Sequence, residues 1–88
     1  MLELVYTNQF KKDLKLAKKR GKNTGILENI LELLLREKPL PSKNKDHTLS
    51  GEYKDHRECH IEPDWLLIYQ KSETHLKLVR TGSHSDLF

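Results

Sequence analysis

Trp65-Leu66-Leu67-Ile68-Tyr69 is the stretch on which the reading of the fold turns. It is an unbroken apolar run, which suits a central strand buried on both faces rather than one facing water on alternate residues. Glu62-Pro63-Asp64 before it reads as a turn, and Lys71-Ser72-Glu73-Thr74 after it as a short hairpin connection. Working outward, Tyr53 to Ile61 reads as the preceding strand and Leu76 to Thr81 as the following one.

The first half of the chain has a different period. Leu2-Glu3-Leu4-Val5-Tyr6 alternates loosely, as a first strand would. Thr7 or Asn8 can then cap a helix that runs to Lys19 or Arg20 and stops at Gly21. Phe10, Leu14 and Ala17 fall on one narrow stripe of that helix, while Lys11, Lys12, Lys15, Lys18, Lys19 and Lys22 crowd its other side. A second helix, capped by Asn23 or Thr24 and running to Glu37, has a wider apolar arc of Ile26, Leu27, Ile30, Leu31, Leu33 and Leu34. Pro39 and Pro41 prevent its continuation. Residues 42–51 are polar and read as a loop. The expected order is β-α-α-β-β-β in one domain, residues 1–88: an α+β fold with a mainly antiparallel sheet and a two-helix hairpin on one face.

Composition narrows the function. No apolar run approaches the length of a bilayer span, and the start lacks the basic and apolar regions of a signal peptide. Cys59 is the only cysteine, so an intramolecular disulfide and a multi-thiolate zinc site are excluded. A cytoplasmic protein is expected. Residues 1–45 carry 11 Lys/Arg against 5 Asp/Glu, and residues 46–88 carry 5 against 8. A basic half on such a domain suits an acidic partner, either nucleic acid or protein, although a solvated lysine face accounts for the same pattern.

All five histidines follow position 46, and His47, His60 and His84 stand close to other functional types. They lie among Asp46-His47, Arg57-Glu58-Cys59-His60-Ile61-Glu62-Pro63-Asp64-Trp65 and Arg80-Thr81-Gly82-Ser83-His84, and antiparallel pairing could bring His60, Asp64 and Arg80 together. Cleaving RNA without a metal requires a base for the 2′-OH proton, an acid for the departing 5′-oxygen and a fixed cation for the phosphorane. Histidine, with an unperturbed pKa of about 6.5, serves as either acid or base, and arginine is the fork-shaped phosphate donor. Trp65 suits base stacking and core packing equally. His47, His60, Asp64 and His84 are also a conceivable zinc set, but no tight ligand spacing is present and Arg80 would oppose a cation, so no metal or other cofactor is expected. Cys59 has no activating motif.

Three ordered motifs go further. Lys45-Asp46-His47-Thr48-Leu49-Ser50-Gly51, the segment Arg57 to Tyr69, and Arg80-Thr81-Gly82-Ser83-His84-Ser85-Asp86-Leu87-Phe88 resemble YafQ-type toxins of the RelE superfamily, and the resemblance runs the whole length. It implies a type II toxin of a toxin–antitoxin pair, a metal-independent endoribonuclease that cuts mRNA in the A site of the 70S ribosome. It also implies site positions at His47, His60, Asp64, Trp65, Arg80, His84 and Phe88. Of these, His84 would be a proton donor or acceptor, and His47, His60 and Asp64 would share the other acid–base work. Arg80 would hold the phosphate, and Trp65 and Phe88 would pack against bases. His56 and His75 match no such position, and Arg57 suits a structural role as well as RNA contact.

The implied partners are a cognate antitoxin, mRNA and the ribosome, with operator DNA reached only through the antitoxin. Lys11, Lys15 and Lys18 are expected on ribosomal RNA, a reading that comes from the helix pattern alone. The alternative is a non-catalytic nucleic-acid-binding co-repressor, which would have no need of the His/Asp/Arg set.

Overall fold

In a computed structural model, which describes residues 1–88, the chain runs β1 (Glu3–Tyr6), α1 (Asn8–Lys19), α2 (Thr24–Leu35), β2 (His47–Thr48), β3 (Arg57–Glu62), β4 (Trp65–Lys71), β5 (His75–Gly82) and α3 (His84–Leu87). One sheet has the order β1-β5-β4-β3-β2. Strands β2 to β5 pair antiparallel, and β1 lies parallel to β5 at one edge. No helix is long and apolar enough to cross a membrane.

Strand β4 is central, and Trp65 to Tyr69 are all buried. Trp65, Leu67 and Tyr69 join Phe10 and Ala17 of α1 and Leu27, Ile30 and Leu34 of α2 in the larger core. Leu66 and Ile68 point the other way, under Leu87 with Leu49, Tyr53 and Val79. The helices therefore cover one face of the sheet, and the C-terminal segment covers part of the other.

The α+β architecture matches the expectation, with local differences. Strand β2 pairs His47 with Glu58 and Thr48 with Arg57 inside the stretch read as a loop. Strand β3 begins at Arg57 rather than Tyr53, because Gly51–Tyr53 forms a 3-10 turn and Asp55 takes a left-handed φ of 68°. The tail forms the extra helix α3.

Both long helices begin and end by local chemistry. Thr7 accepts the Phe10 N–H at 2.9 Å and donates its own hydroxyl to the Val79 carbonyl at 2.8 Å, so one side chain caps α1 and pins it to β5. Asn23 accepts the Gly25 N–H at 2.9 Å. At the end of α1 the N–H groups of Gly21 and Lys22 return to the Lys18 and Ala17 carbonyls, with Gly21 at φ 80°. Helix α2 closes the same way two residues before the expected Glu37, the N–H groups of Glu37 and Lys38 returning to Leu34 and Leu33. Here Glu37 itself occupies the left-handed position, at φ 58°.

A side chain in that conformation costs roughly 1–2 kcal/mol, and glycine gives back roughly 0.4–1 kcal/mol through its freer unfolded state. Glu37→Gly should therefore stabilise the protein by about 0.5–1 kcal/mol, since the exposed Glu37–Lys71 pair it removes contributes little. Urea denaturation tests this, and a lower midpoint would show that α2 does not depend on this closure.

Candidate active site

The face of the sheet away from α1 and α2 carries most of the polar groups the sequence singled out. Strand register places them in rows. His47 lies opposite Glu58, Glu58 opposite Ile68, and Ile68 opposite Arg80. His60 lies opposite Leu66 in the next row. Side chains alternate across a strand, so Glu58 and His60 share the open face while Cys59 between them enters the larger core. Burial pushes the Cys59 thiol up to about 12, with Asp46 adding to the effect, so it stays protonated and inert.

Glu58 was missed from sequence, where a glutamate in a strand reads as solvent-facing. It is 4% exposed. His47 Nε2 lies 3.5 Å and His60 Nε2 3.8 Å from the same oxygen, Oε1, while Oε2 is buried with no hydrogen-bond partner. The Nδ1 atoms face carbonyls, that of Lys45 at 2.6 Å from His47 and that of Pro63 at 3.3 Å from His60. A carbonyl only accepts, so each Nδ1 carries hydrogen, and each neutral ring turns a bare Nε2 toward the carboxyl. Lone pairs meeting a carboxylate repel, and a proton on either Nε2 would turn that contact into a charge-assisted hydrogen bond.

The second imidazole site is His84, at the start of α3. Its Nδ1 and its backbone N–H both meet Asp64 Oδ1, at 2.7 and 3.0 Å. Those bonds, the backbone one foremost, hold the Asp64 carboxyl below its ordinary pKa. The ring stands 5.6 Å from that of His60, centroid to centroid. Helix α3 is a single turn and needs its ties. Ser83 and Asp86 form a reciprocal capping box, and Arg20 from the end of α1 donates to Asp86 at 2.7 Å. That guanidinium, with the Ser83 N–H, holds Asp86 far below the usual carboxylate range. Gly82 permits the turn, since a Cβ there would lie 2.9 Å from the Asp86 Cβ.

Arg80 lines one pocket with Asp64 but takes another residue as its ion-pair partner. Its Nε and Nη2 donate to the two oxygens of Asp13 at 2.7 and 3.2 Å, and Asp13 also accepts the Thr81 N–H. Hydrogen bonding to Asp13 raises the arginine pKa further, with a smaller contribution from Tyr53, so the charge is permanent. Asp13, 67 positions away in the chain, is a second residue the sequence reading missed.

Other expectations are corrected by the packing. Trp65 is 1% exposed and belongs to the helix-side core, so its ring is closed to base stacking and core packing is its role. Phe88 is 64% exposed. Arg57 points to the helix side, bound to Asp46 together with the Tyr69 hydroxyl. Lys22 leaves the lysine array: it pairs with Glu62 at 3.7 Å and lies 6.0 Å from the Trp65 ring centroid. Lys11, Lys15 and Lys18 do project together, along a groove between the helices and β1. No three or more His, Cys, Asp or Glu side chains are arranged to hold a metal ion.

Comparison with known proteins agrees with this fold. A family model described as a bacterial toxin of type II toxin–antitoxin system, YafQ, matches residues 2–88. The mRNA interferase toxin YafQ of Escherichia coli K12 is 44% identical over 87 residues, spanning 98% of this chain and 95% of that protein. A chain of the E. coli DinJ–YafQ toxin–antitoxin complex superposes with a TM-score of 0.91 at 43% identity, with 99% of this chain and 97% of that one covered. A metal-bound toxin from Helicobacter pylori superposes with a TM-score of 0.94 at 48% identity, both chains covered in full.

The depressed Asp64 reports on the docking of α3. In an NMR titration its carboxyl should protonate below the reference value of about 3.9. Its contribution to stability is complete above that value and fades as pH falls through the folded pKa. Gly82→Ala, by displacing Asp86 and with it α3, should return the Asp64 titration to about 3.9. An unchanged Asp64 in that variant would mean that α3 docks without the Gly82 contact.

Proposed function

The chain belongs to the YafQ family of bacterial toxins of type II toxin–antitoxin systems, and from that premise we propose that it is an mRNA interferase, an endoribonuclease acting in the cytoplasm on mRNA in the ribosomal A site. The observation that carries the proposal is the division of the open face into two imidazole sites, each facing its own carboxyl, with a permanent cation on the same face. His84, fixed through Nδ1 by Asp64, offers a free Nε2 as the base. The His47–Glu58–His60 cluster holds the proton that the acid must give.

In the proposed reaction His84 Nε2 takes the 2′-OH proton and the 2′-oxygen bonds to phosphorus. The bond from phosphorus to the 5′-oxygen then breaks, leaving a 2′,3′-cyclic phosphate. The leaving oxygen takes a proton from the cluster, and Glu58 stabilises each imidazole while it is cationic. Arg80, oriented by Asp13, meets the charge on the phosphorane. No step uses a metal. Phe88 serves RNA binding; Trp65 supports the site from within the core.

A free toxin needs restraint, and an antitoxin with a partly acidic segment that folds on this chain would supply it, as DinJ accompanies YafQ in the relative's complex. Operator DNA would be reached through that antitoxin. Lys11, Lys15 and Lys18 suit docking on ribosomal RNA, because the only lysines engaged in ion pairs are Lys22 and Lys71.

Expressing the chain alone should stop growth, and co-expressing the neighbouring antitoxin gene should restore it. Unaffected growth and translation would sink the toxin reading. On programmed ribosomes Arg80→Ala should lose about 10²–10³ in cleavage rate, and Asp13→Asn on the order of 10- to 100-fold through misorientation. The proton roles are separated by a substrate with a sulfur as the bridging 5′ leaving atom, which departs without an acid. His60→Ala and Glu58→Gln should regain activity on it and His84→Ala should not; rescue of His84→Ala alone would reverse the assignment.

The lysine face has its own test. Counterion release makes affinity fall with salt at a slope of about one per neutralised phosphate. Replacing Lys11, Lys15 and Lys18 by Gln should weaken ribosome binding and flatten that slope, while thermal stability holds or rises. Identical affinity and slope would make these lysines an ordinary solvated surface.

A further inference from the structure

Three rings outside the histidine cluster form a row that neither the proton transfers nor the core accounts for. Tyr53 stands in the middle. Its ring lies 5.7 Å from the His56 imidazole and 6.0 Å from the Phe88 ring, centroid to centroid, at interplanar angles of 77° and 78°. Tyr53 packs on the small cluster of Leu66, Ile68 and Leu87. It therefore sits over the sheet where Ile68 separates Glu58 from Arg80. His56 backs it, with Nδ1 tied to the Lys54 carbonyl at 3.0 Å.

Phe88 is held in water. Its N–H is bound to the His84 carbonyl at 2.9 Å, and α3 is tied by the capping box and by Arg20, yet Phe88 is 64% exposed. A freely placed phenylalanine would turn inward to bury its ring. An exposed ring meeting a half-buried one near a right angle makes a step: a flat group lying on Phe88 presents its edge to Tyr53. On this face the guanidinium of Arg80 interacts with Tyr53. A planar group joined to an anion is what such a step and such a cation recognise together, and in RNA these are a base and its phosphate.

We propose that Tyr53 and Phe88, with His56 behind Tyr53, form the subsite for one nucleobase flanking the phosphate held by Arg80. This rests on the ribonuclease reading above. It makes Tyr53 and His56 RNA-binding residues and leaves the proton transfers to the histidine clusters.

The test pairs protein variants with mRNAs that carry an abasic nucleotide on the 5′ or the 3′ side of the cleaved bond, on programmed ribosomes. One stacked base typically contributes about 5- to 150-fold in affinity. For the wild type, removing the base on one side should cost a factor in that range, most of it in the half-saturating concentration. Tyr53→Leu, which keeps apolar cover over Leu66 and Ile68, should lose a comparable factor on intact mRNA and almost nothing more on the abasic one. Should its melting curve show that Tyr53→Leu is unfolded, Phe88→Leu runs the same cycle from an exposed position. Losses that multiply on the abasic substrate, or no loss at all, would overturn the subsite. So would a variant that cuts normally but escapes its antitoxin, which would give the row to the partner protein. A wild type that leaves mRNA uncut instead removes the ribonuclease reading itself, and the subsite with it.

Discussion

Trp65 to Tyr69 are withdrawn from water on every side, and a strand in that position needs cover from two directions. Helices α1 and α2 supply it beneath Trp65, Leu67 and Tyr69. Above Leu66 and Ile68 the only buried partner is Leu87, from the C-terminal turn. Burying each of those two side chains contributes roughly 1.5–3 kcal/mol, so the tail is drawn onto the sheet by the same force that forms the core. The tail also carries His84 and Phe88. The need to cover β4 thus delivers a histidine and an aromatic ring to a face whose strands already present His47, Glu58, His60 and Arg80.

Helix α1 is the strut that holds this arrangement in register. It touches the face at three heights through polar ties to the other end of the chain. Thr7 binds the Val79 carbonyl, Asp13 grips Arg80 and the Thr81 N–H, and Arg20 grips Asp86. Strand β1 stops pairing with β5 at Leu78, and from there α1 takes over the exposed edge. A bulge in β5 near Val79 accompanies the change. The edge that would otherwise be open to other strands is closed by groups that also aim the site residues.

What the sequence makes legible is what depends on neighbours in the chain. The run 65–69, the caps at Thr7 and Asn23 and the stop at Gly21 follow from local patterns, and the sheet with its helical hairpin follows from them. The less legible features depend on partners far apart. Strand β2 exists because Glu58 and Arg57 accept it in register, not because His47-Thr48 prefers extension. Asp13 looks like one acid among lysines until β5 is beside it. Glu58 looks exposed until β2 brings His47 over it. Trp65 shows the opposite limit: motif position and residue type both suited RNA contact, and only packing decides that its ring faces the helices. Motif position alone therefore does not say which side of the sheet a ring takes.

Glu58 shows why this face is more than a surface with histidines on it. Burying a carboxyl without a permanent cation costs several kcal/mol, a large share of the roughly 5–15 kcal/mol that keeps a domain folded. A lysine or arginine partner would remove that cost at every pH and leave the group chemically idle. This chain surrounds Glu58 with two imidazoles instead, at 3.5 and 3.8 Å, and leaves its second oxygen unpartnered. An imidazole relieves the carboxylate only while it holds a proton, so the stability of the cluster and its proton content are one variable. In the proposed reaction, giving the proton to a leaving oxygen would raise the energy of the cluster, and regaining one would lower it. A purely binding surface gains nothing from such an arrangement, whereas a general acid that must reload after each turnover depends on it.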